Sequence, residues 1–255
     1  MLKANLHFHT GDDTEDPIQY TFHEGIDRAA SLGFEIMGLT CHNQFIDSPD
    51  YAAYAEKRGI LLIPGIEKTI EKRHVVILNA NKQAERINTF IELQNYKKIY
   101  PDIFIIAPHP YFYGNFSLKE KLEQHLHLFD AIEHSWFYSK IFNRNTLGEF
   151  IAKKHNLPFI ATSDTHILEI LGRSYALIDS KTKTVPAIFQ ALRENKYRNV
   201  TAPLKTFDKM IARILTREFT TRLDKLFAKN PKQSTVLSKR GLASLIPEEF
   251  PSLDQ

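Results

Sequence analysis

Short runs rich in branched aliphatic residues recur along the chain, and amphipathic, more polar stretches separate most of them. The runs are LKANLHF near the start, FEIMGLT (34–40), ILLIPGIE (60–67), HVVIL (74–78), IFIIAP (103–108), AIE (131–133) and PFIATSD (158–164). Their length, β-branching and bounding turn residues predict strands. The stretches between them predict helices. One opens at Thr21 with Glu24 three residues on, a capping box. Another opens at Ser48-Pro49, an N-cap followed by proline at the first helical position. Residues 82–99, 117–128, 141–155 and 184–195 also read as helices. Strands alternating with helices imply a parallel α/β architecture. Roughly seven such units in about 200 residues favour a closed barrel over a short open sheet.

The polar residues that end these strands carry the chemistry. NLHFH ends in His7 and His9, which alternate onto one face of a strand. GLTCH ends in His42, IPGIE in Glu67, IIAPHP in His109, DAIEH in Glu133 and His134, and IATSDTH in Asp164 and His166. His74 instead starts its run just after Glu67, as if across a short hairpin. In α/β barrels the C-terminal strand ends are where active sites are built. One histidine there is no more than a structural group; an imidazole or carboxylate on nearly every strand is a metal-ligand pattern. His23, His125, His127 and His155 fall in helix-like stretches and are read as ordinary surface or packing residues.

Composition narrows the setting. The chain has 255 residues, 43% hydrophobic and 25% charged, as expected of one large globular domain or a domain with an appendage. The single cysteine excludes an internal disulfide framework and suits a cytoplasmic location. No apolar run approaches the ~18 residues of a membrane span, and the start does not read as a signal peptide. The net charge of +3 does not by itself argue for nucleic acid. Residues 205–255 hold ten Lys/Arg and six Asp/Glu. Within them, KMIARILTREFTTRLDKLF (209–227) repeats apolar residues at i, i+4 and predicts a basic amphipathic helix. The expected domains are therefore a barrel over 1–204 and a basic helical extension over 205–255, with a homo-oligomer contact among the uses of that helix.

HFHT, LTCH, PGIE, the following His74, APHP and SDTH, in this order, resemble the PHP (polymerase and histidinol phosphatase) superfamily over residues 1 to about 180. The resemblance implies a distorted seven-stranded (β/α) barrel with two or three divalent metal ions at its strand ends. It implies one metal on His7, His9, Glu67 and Asp164, a second on Glu67, His74 and His109, and a third on His42 and His166. The remaining ligand of the third is expected in GDDTED, where Asp12 or Asp13 is favoured and Thr14 stands at one position where an Asp is expected.

Mixed imidazole and carboxylate donors suit Zn, Mn or Fe. Paired metals of this kind clamp the attacking and leaving oxygens of a phosphate ester, with a bridging hydroxide as nucleophile. The expected activity is thus a metal-dependent phosphoesterase acting on a monoester, a nucleotide or a short oligonucleotide. A non-catalytic PHP module is the alternative, and amide hydrolysis by the same chemistry a weaker one. Glu133 and His134 are the candidate acids. Arg73, beside His74, and Arg173, in LGRSYALI, are the candidate phosphate-binding residues. Aromatics crowd HPYFYG (109–114) and SWFYSK (135–140), where they either stack on a substrate or close the barrel mouth.

Overall fold

A computed structural model of the chain describes residues 1–112 and 114–204. The basic helix expected over 209–227, the rest of the 205–255 extension, and Tyr113 lie outside the described residues. Met1–Pro203 forms one compact unit.

Among the described residues nine strands make a single sheet: β1 (Leu2–Phe8), β2 (Ile36–Leu39), β3 (Leu61–Ile70), β4 (Arg73–Leu78), β5 (Phe104–Ala107), β6 (Ala131–His134), β7 (Phe159–Ala161), β8 (Ser174–Ile178) and β9 (Tyr197–Thr201). Their order is β7-β6-β5-β4-β3-β2-β1-β8-β9. The first seven are those expected from the apolar runs. β8 and β9 are additional to those runs: the apolar run of β8, Tyr175–Ile178, is short, and β9 (YRNVT) is largely polar.

The architecture is a distorted α/β barrel rather than a uniformly parallel one. β3 and β4 are a hairpin in which Thr69 pairs with His74 and Glu67 with Val76, so His74 does lie across a short turn from Glu67. β4 is also antiparallel to β5. At the other side, β8 pairs antiparallel with the start of β1, Leu2 to Ala4. Beyond Ala4 the partner of β1 changes: Phe8 bridges to Thr165, just after β7. The two ends of the sheet meet through side chains. The Asn199 amide accepts from Ala161 N at 2.9 Å and donates to Phe159 O at 2.7 Å, and the Tyr197 hydroxyl takes Phe159 N at 2.7 Å.

Among the described residues six α-helices pack outside or at the end of this sheet: α1 (Phe22–Ser31), α2 (Pro49–Lys57), α3 (Phe90–Ile99), α4 (Glu120–Gln124), α5 (Asn145–Lys154) and α6 (Val185–Arg193). The Thr21–Glu24 capping box and the Ser48 cap form as expected. The helix expected over 82–99 is split into a 3₁₀ turn, Lys82–Arg86, and α3, because Thr89 and Glu92 form a second capping box between them. The 117–128 stretch likewise divides into α4 and a 3₁₀ turn.

The core follows from strand alternation. One apolar cluster takes Ala4 and Leu6, Ile36, Ile63, Val76 and Leu78, Phe104 and Ile106, Ala131, Ile160, Ala176 and Ile178, with Ile188 and Leu192 of α6. A cluster that touches β1 through β8 can only be the barrel interior, which α6 helps to fill. Two further clusters lie between the strands and the outer helices. A bulge in β1 between Asn5 and Phe8 shifts its register by one residue. Leu6 thereby stays in the apolar interior while His7 and His9 both turn into the polar end of the barrel. Among the described residues no helix is long and apolar enough to cross a membrane.

Candidate metal centre

Glu67 is the hub of this polar end. It lies in β3 and is fully buried. Its Oε2 faces the Nε2 atoms of His7 at 3.1 Å, His9 at 3.3 Å and His42 at 3.0 Å. Its Oε1 faces His74 Nδ1 at 2.9 Å and His109 Nε2 at 3.1 Å. Asp164 Oδ1 approaches His7 Nε2 at 3.4 Å, His9 Nε2 at 3.3 Å and His166 Nδ1 at 3.3 Å. The structure thus brings His7, His9, His42, Glu67, His74, His109, Asp164 and His166 into one cluster. Their donor atoms form three convergent groups: His7, His9, Glu67 and Asp164; His42, Glu67 and His74; and His9, His42 and His166.

The backbone is strained to do this. His109 (φ 30) and Asp164 (φ 40) both sit in the left-handed region, which costs a non-glycine residue on the order of 1–3 kcal/mol. Both stand where a strand has just ended, so the strain turns each side chain inward instead of along the next loop.

The donor set fits divalent cations. The Nδ1 of His7 meets Glu133 Oε2 at 2.8 Å, and those of His9 and His42 meet Asp13 Oδ2 at 3.0 and 2.9 Å. Those carboxylates take the Nδ1–H, which leaves each Nε2 as a lone pair. Three lone pairs then point at one carboxylate oxygen, an arrangement that repels. Protonating the rings instead would crowd charges into a buried site, since the His9 and His42 ring centres are only 4.4 Å apart. His9 Nε2 and Asp164 Oδ1 are buried with no hydrogen-bond partner. A cation among the donors removes the conflict.

Without one, the electrostatics are strongly skewed. Burial by itself raises the Glu67 carboxyl, but the imidazoles of His74, His7, His42 and His109 outweigh it and hold it well below the usual range. Burial lowers the His42 imidazole, yet Glu67 and Asp13 carry it up to about 11. Against the same opposing burial, Asp164 and Asp16 carry His166 up to about 10.

Several expected residues stand elsewhere. Asp12 turns away, accepting from Thr10 Oγ1 at 2.8 Å and from the Tyr51 hydroxyl at 3.1 Å. Asp13 lies behind the histidines with every acceptor used: Oδ2 also takes His42 N at 2.8 Å, and Oδ1 takes Glu15 N and Asp16 N. The acidic loop reaches the cluster instead through Asp16, whose Oδ2 is 3.1 Å from His166 Nε2. Glu133 is buried and holds His7, with its Oε1 unpartnered. His134 points to the other face of β6, against Tyr138 and Phe159, outside the cluster. Arg73 pairs with Asn115 O and lies 3.6 Å from Glu120. Arg173 stands immediately before β8.

Sequence reading also missed the residues that brace the site. The Tyr20 hydroxyl lies 2.6 Å from His9 O and 2.8 Å from Thr165 O, joining the ends of β1 and β7. Asn5 holds the same junction, donating to His7 O and accepting from Ser163 N. These residues carry no local signal, since their partners are distant in sequence.

Fold and site together define a distorted α/β barrel with a histidine- and carboxylate-rich centre at its strand ends. A family model described as PHP-associated matches residues 142–197, a span that includes Asp164 and His166. Among solved structures, a two-domain protein of Bacteroides vulgatus containing a predicted PHP-like metal-dependent phosphoesterase aligns with 19% identity and a TM-score of 0.62, over 78% of this chain and 64% of that one. An Endonuclease Q, solved with a 27-mer duplex bearing an abasic lesion, aligns with 16% identity and a TM-score of 0.59, over 79% and 60%. The lesion-specific endonuclease of Pyrococcus furiosus gives 16%, 0.58, 78% and 57%. The chain therefore spans less than two thirds of the length of each of these three. No curated protein matches. The PHP resemblance read from the strand-end motifs is borne out by the fold and by the family model.

Proposed function

We propose that this chain is a metal-dependent phosphoesterase. The observation that carries the reading is the convergence of five imidazoles on the single buried carboxylate of Glu67, with Asp164 alongside. His7, His9, Glu67 and Asp164 would hold one ion, Glu67 with His74 and His109 a second, and His42 and His166 a third, completed by Asp16. Bound divalent cations supply positive charge against the phosphate oxygens and acidify water at neutral pH. The chain's own residues do the rest. Asp13 and Glu133 accept the Nδ1–H of His7, His9 and His42, so each ring turns its Nε2 toward the cluster. Glu67, whose two oxygens face different imidazoles, would tie two of the ions to one strand. Arg73 and Arg173 are the candidate phosphate contacts, and Arg73 already has Asn115 O and Glu120 as partners.

The substrate is a phosphate ester, and duplex or single-stranded DNA belongs in the screen because Endonuclease Q, a structural neighbour, was solved on a DNA duplex. The test is metal analysis of purified protein, followed by assays of Mn²⁺- or Zn²⁺-loaded protein on 4-nitrophenyl phosphate, bis(4-nitrophenyl) phosphate, nucleotides and abasic-site duplex. About two or three ions per chain and metal-dependent hydrolysis are expected. A stable, folded protein that takes up no metal would establish the non-catalytic module instead.

A further inference from the structure

The helix α5 is apolar on two sides. Asn145, Gly148, Ile151 and Ala152 are buried, and Gly148 lies against Phe159 and Ile132 of the sheet. The opposite face of such a helix is ordinarily polar. Here it carries Leu147 and Phe150, 47% and 60% exposed, three residues apart and so on one side of the helix. Just before α5, Ile141 is 87% exposed, more than any other large apolar side chain among the described residues. A turn holds it out. Ser139 N donates to Phe142 O at 2.8 Å and Phe142 N donates to Ser139 Oγ at 3.0 Å, with Lys140 and Ile141 at the tip. Four of the eight large apolar side chains exposed among the described residues fall within 141–150, and clustering of this kind marks a contact surface.

Charge decides the kind of contact. Residues 139–154 contain one carboxylate, Glu149, and Lys153 takes it at 2.7 Å. Lys140, beside Ile141 in the turn, and Lys154, one helical turn beyond Phe150, are exposed and make no hydrogen bond or ion pair among the described residues. The surface therefore calls for a partner that is apolar beneath and negatively charged around. A second copy of the same face would set lysine against lysine. A folded protein would need a socket for a side chain that projects from the tip of a turn. A lipid headgroup layer admits projecting apolar side chains without a socket and meets the lysines with phosphates.

We propose that the 139–154 surface docks on an anionic lipid bilayer. Ile141 and Phe150 enter the boundary between headgroups and acyl chains, and Lys140 and Lys154 stay at the level of the lipid phosphates. The protein lies on the bilayer through this face, and no described helix is long and apolar enough to cross it. Leu147 lines one groove with Tyr111, two residues past His109, so the docked surface adjoins the polar end of the barrel.

Sedimentation of the 255-residue chain with vesicles tests this. Vesicles of equimolar phosphatidylserine and phosphatidylcholine should bind it, and added salt should weaken the binding. Vesicles of phosphatidylcholine alone should bind it about tenfold more weakly or less. Ile141→Ser/Phe150→Ser should weaken binding to the anionic vesicles by about tenfold or more. Lys140→Gln/Lys154→Gln should weaken it by about thirtyfold. Ile91→Ser/Ile99→Ser, at apolar positions similarly exposed on α3, should leave it unchanged. The ten Lys/Arg of residues 205–255 are present in every variant, so binding through them would not separate the variants. Insertion is read directly from an environment-sensitive dye on Ile141→Cys, since Cys41, the one natural cysteine, is buried. Its emission should shift to the blue on anionic vesicles. No vesicle binding, equal binding to both compositions, survival of binding in Ile141→Ser/Phe150→Ser, equal loss in Ile91→Ser/Ile99→Ser, or an unshifted dye on sedimented protein would each overturn the docking. Without vesicle binding, a dimer in gel filtration that Ile141→Ser/Phe150→Ser dissociates would identify a second copy as the occupant. Retention on immobilised polyglutamate, lost in the same variants and again without vesicle binding, would identify an acidic polypeptide. Either result would overturn the lipid surface.

Discussion

Asp13→Asn is the substitution that most sharply separates a residue that orients ligands from one that is a ligand. Asp13 accepts five hydrogen bonds in this structure: three at Oδ2, from His9 Nδ1, His42 Nδ1 and His42 N, and two at Oδ1, from Glu15 N and Asp16 N. Every neighbour is a donor. Asparagine has one acceptor atom, so either rotamer turns its NH₂ toward donors. If the NH₂ faces the imidazoles, His9 or His42 must move its proton to Nε2, which closes the lone pair a metal needs. If it faces the loop, Glu15 N and Asp16 N lose their acceptor and the segment carrying Asp16 shifts. Loss of one such orienting partner costs about 10–100-fold in metal affinity. Asp13 serves two imidazoles, so the expected loss is at the upper end, about 100-fold or 2.7 kcal/mol. Competition against a fluorescent chelator measures it, and nitrogen-15 NMR of the imidazoles reports the tautomers directly. Asp16→Asn should behave differently, removing one ion from the stoichiometry while the others keep their affinity. Affinity in Asp13→Asn within about twofold of the natural chain would refute the orienting role. Loss of a whole ion in Asp13→Asn, with none lost in Asp16→Asn, would make Asp13 the ligand after all.

Two further outcomes are expected. In Gly25→Ala, a Cβ built on α1 would lie 2.4 Å from Phe8 Cζ, on the residue between His7 and His9. The overpacking should cost about 1–3 kcal/mol, read as a lower melting temperature that added metal only partly restores. Metal uptake should release protons and weaken as pH falls, because His42 (about 11) and His166 (about 10) are protonated in the metal-free protein at neutral pH. Their raised values contribute stability that is complete below the ordinary histidine range, about 6.5, and is lost as pH rises toward 10–11. Metal-free protein should therefore lose melting temperature between neutral pH and pH 10 more steeply than metal-loaded protein. Equal slopes for the two forms would count against this account.

What the sequence by itself determined is local in origin. Branched aliphatic runs and cap residues act over a few positions, so seven strands and the Thr21 and Ser48 helix starts were legible. The identity of the residue at each strand end was legible too, because a strand places its last side chain at a known end of a barrel. Hence His7, His9, His42, Glu67, His109, Asp164 and His166 could be read as one group, and His74 could be placed across a hairpin. Only the tertiary structure decided what depends on contacts between distant segments. β8 exists because β1 offers it an edge, not because SYALI is strongly patterned. Glu133 orients His7 across 126 residues of sequence, a relation no window of the chain contains. The choice among Asp12, Asp13 and Asp16 turns on side-chain direction within one loop. There Asp13 finds five donors, Asp12 finds Thr10 and Tyr51, and Asp16 alone is left to meet His166. Neighbouring carboxylates in a turn have the same chemistry in sequence, and only the positions of their partners make them different.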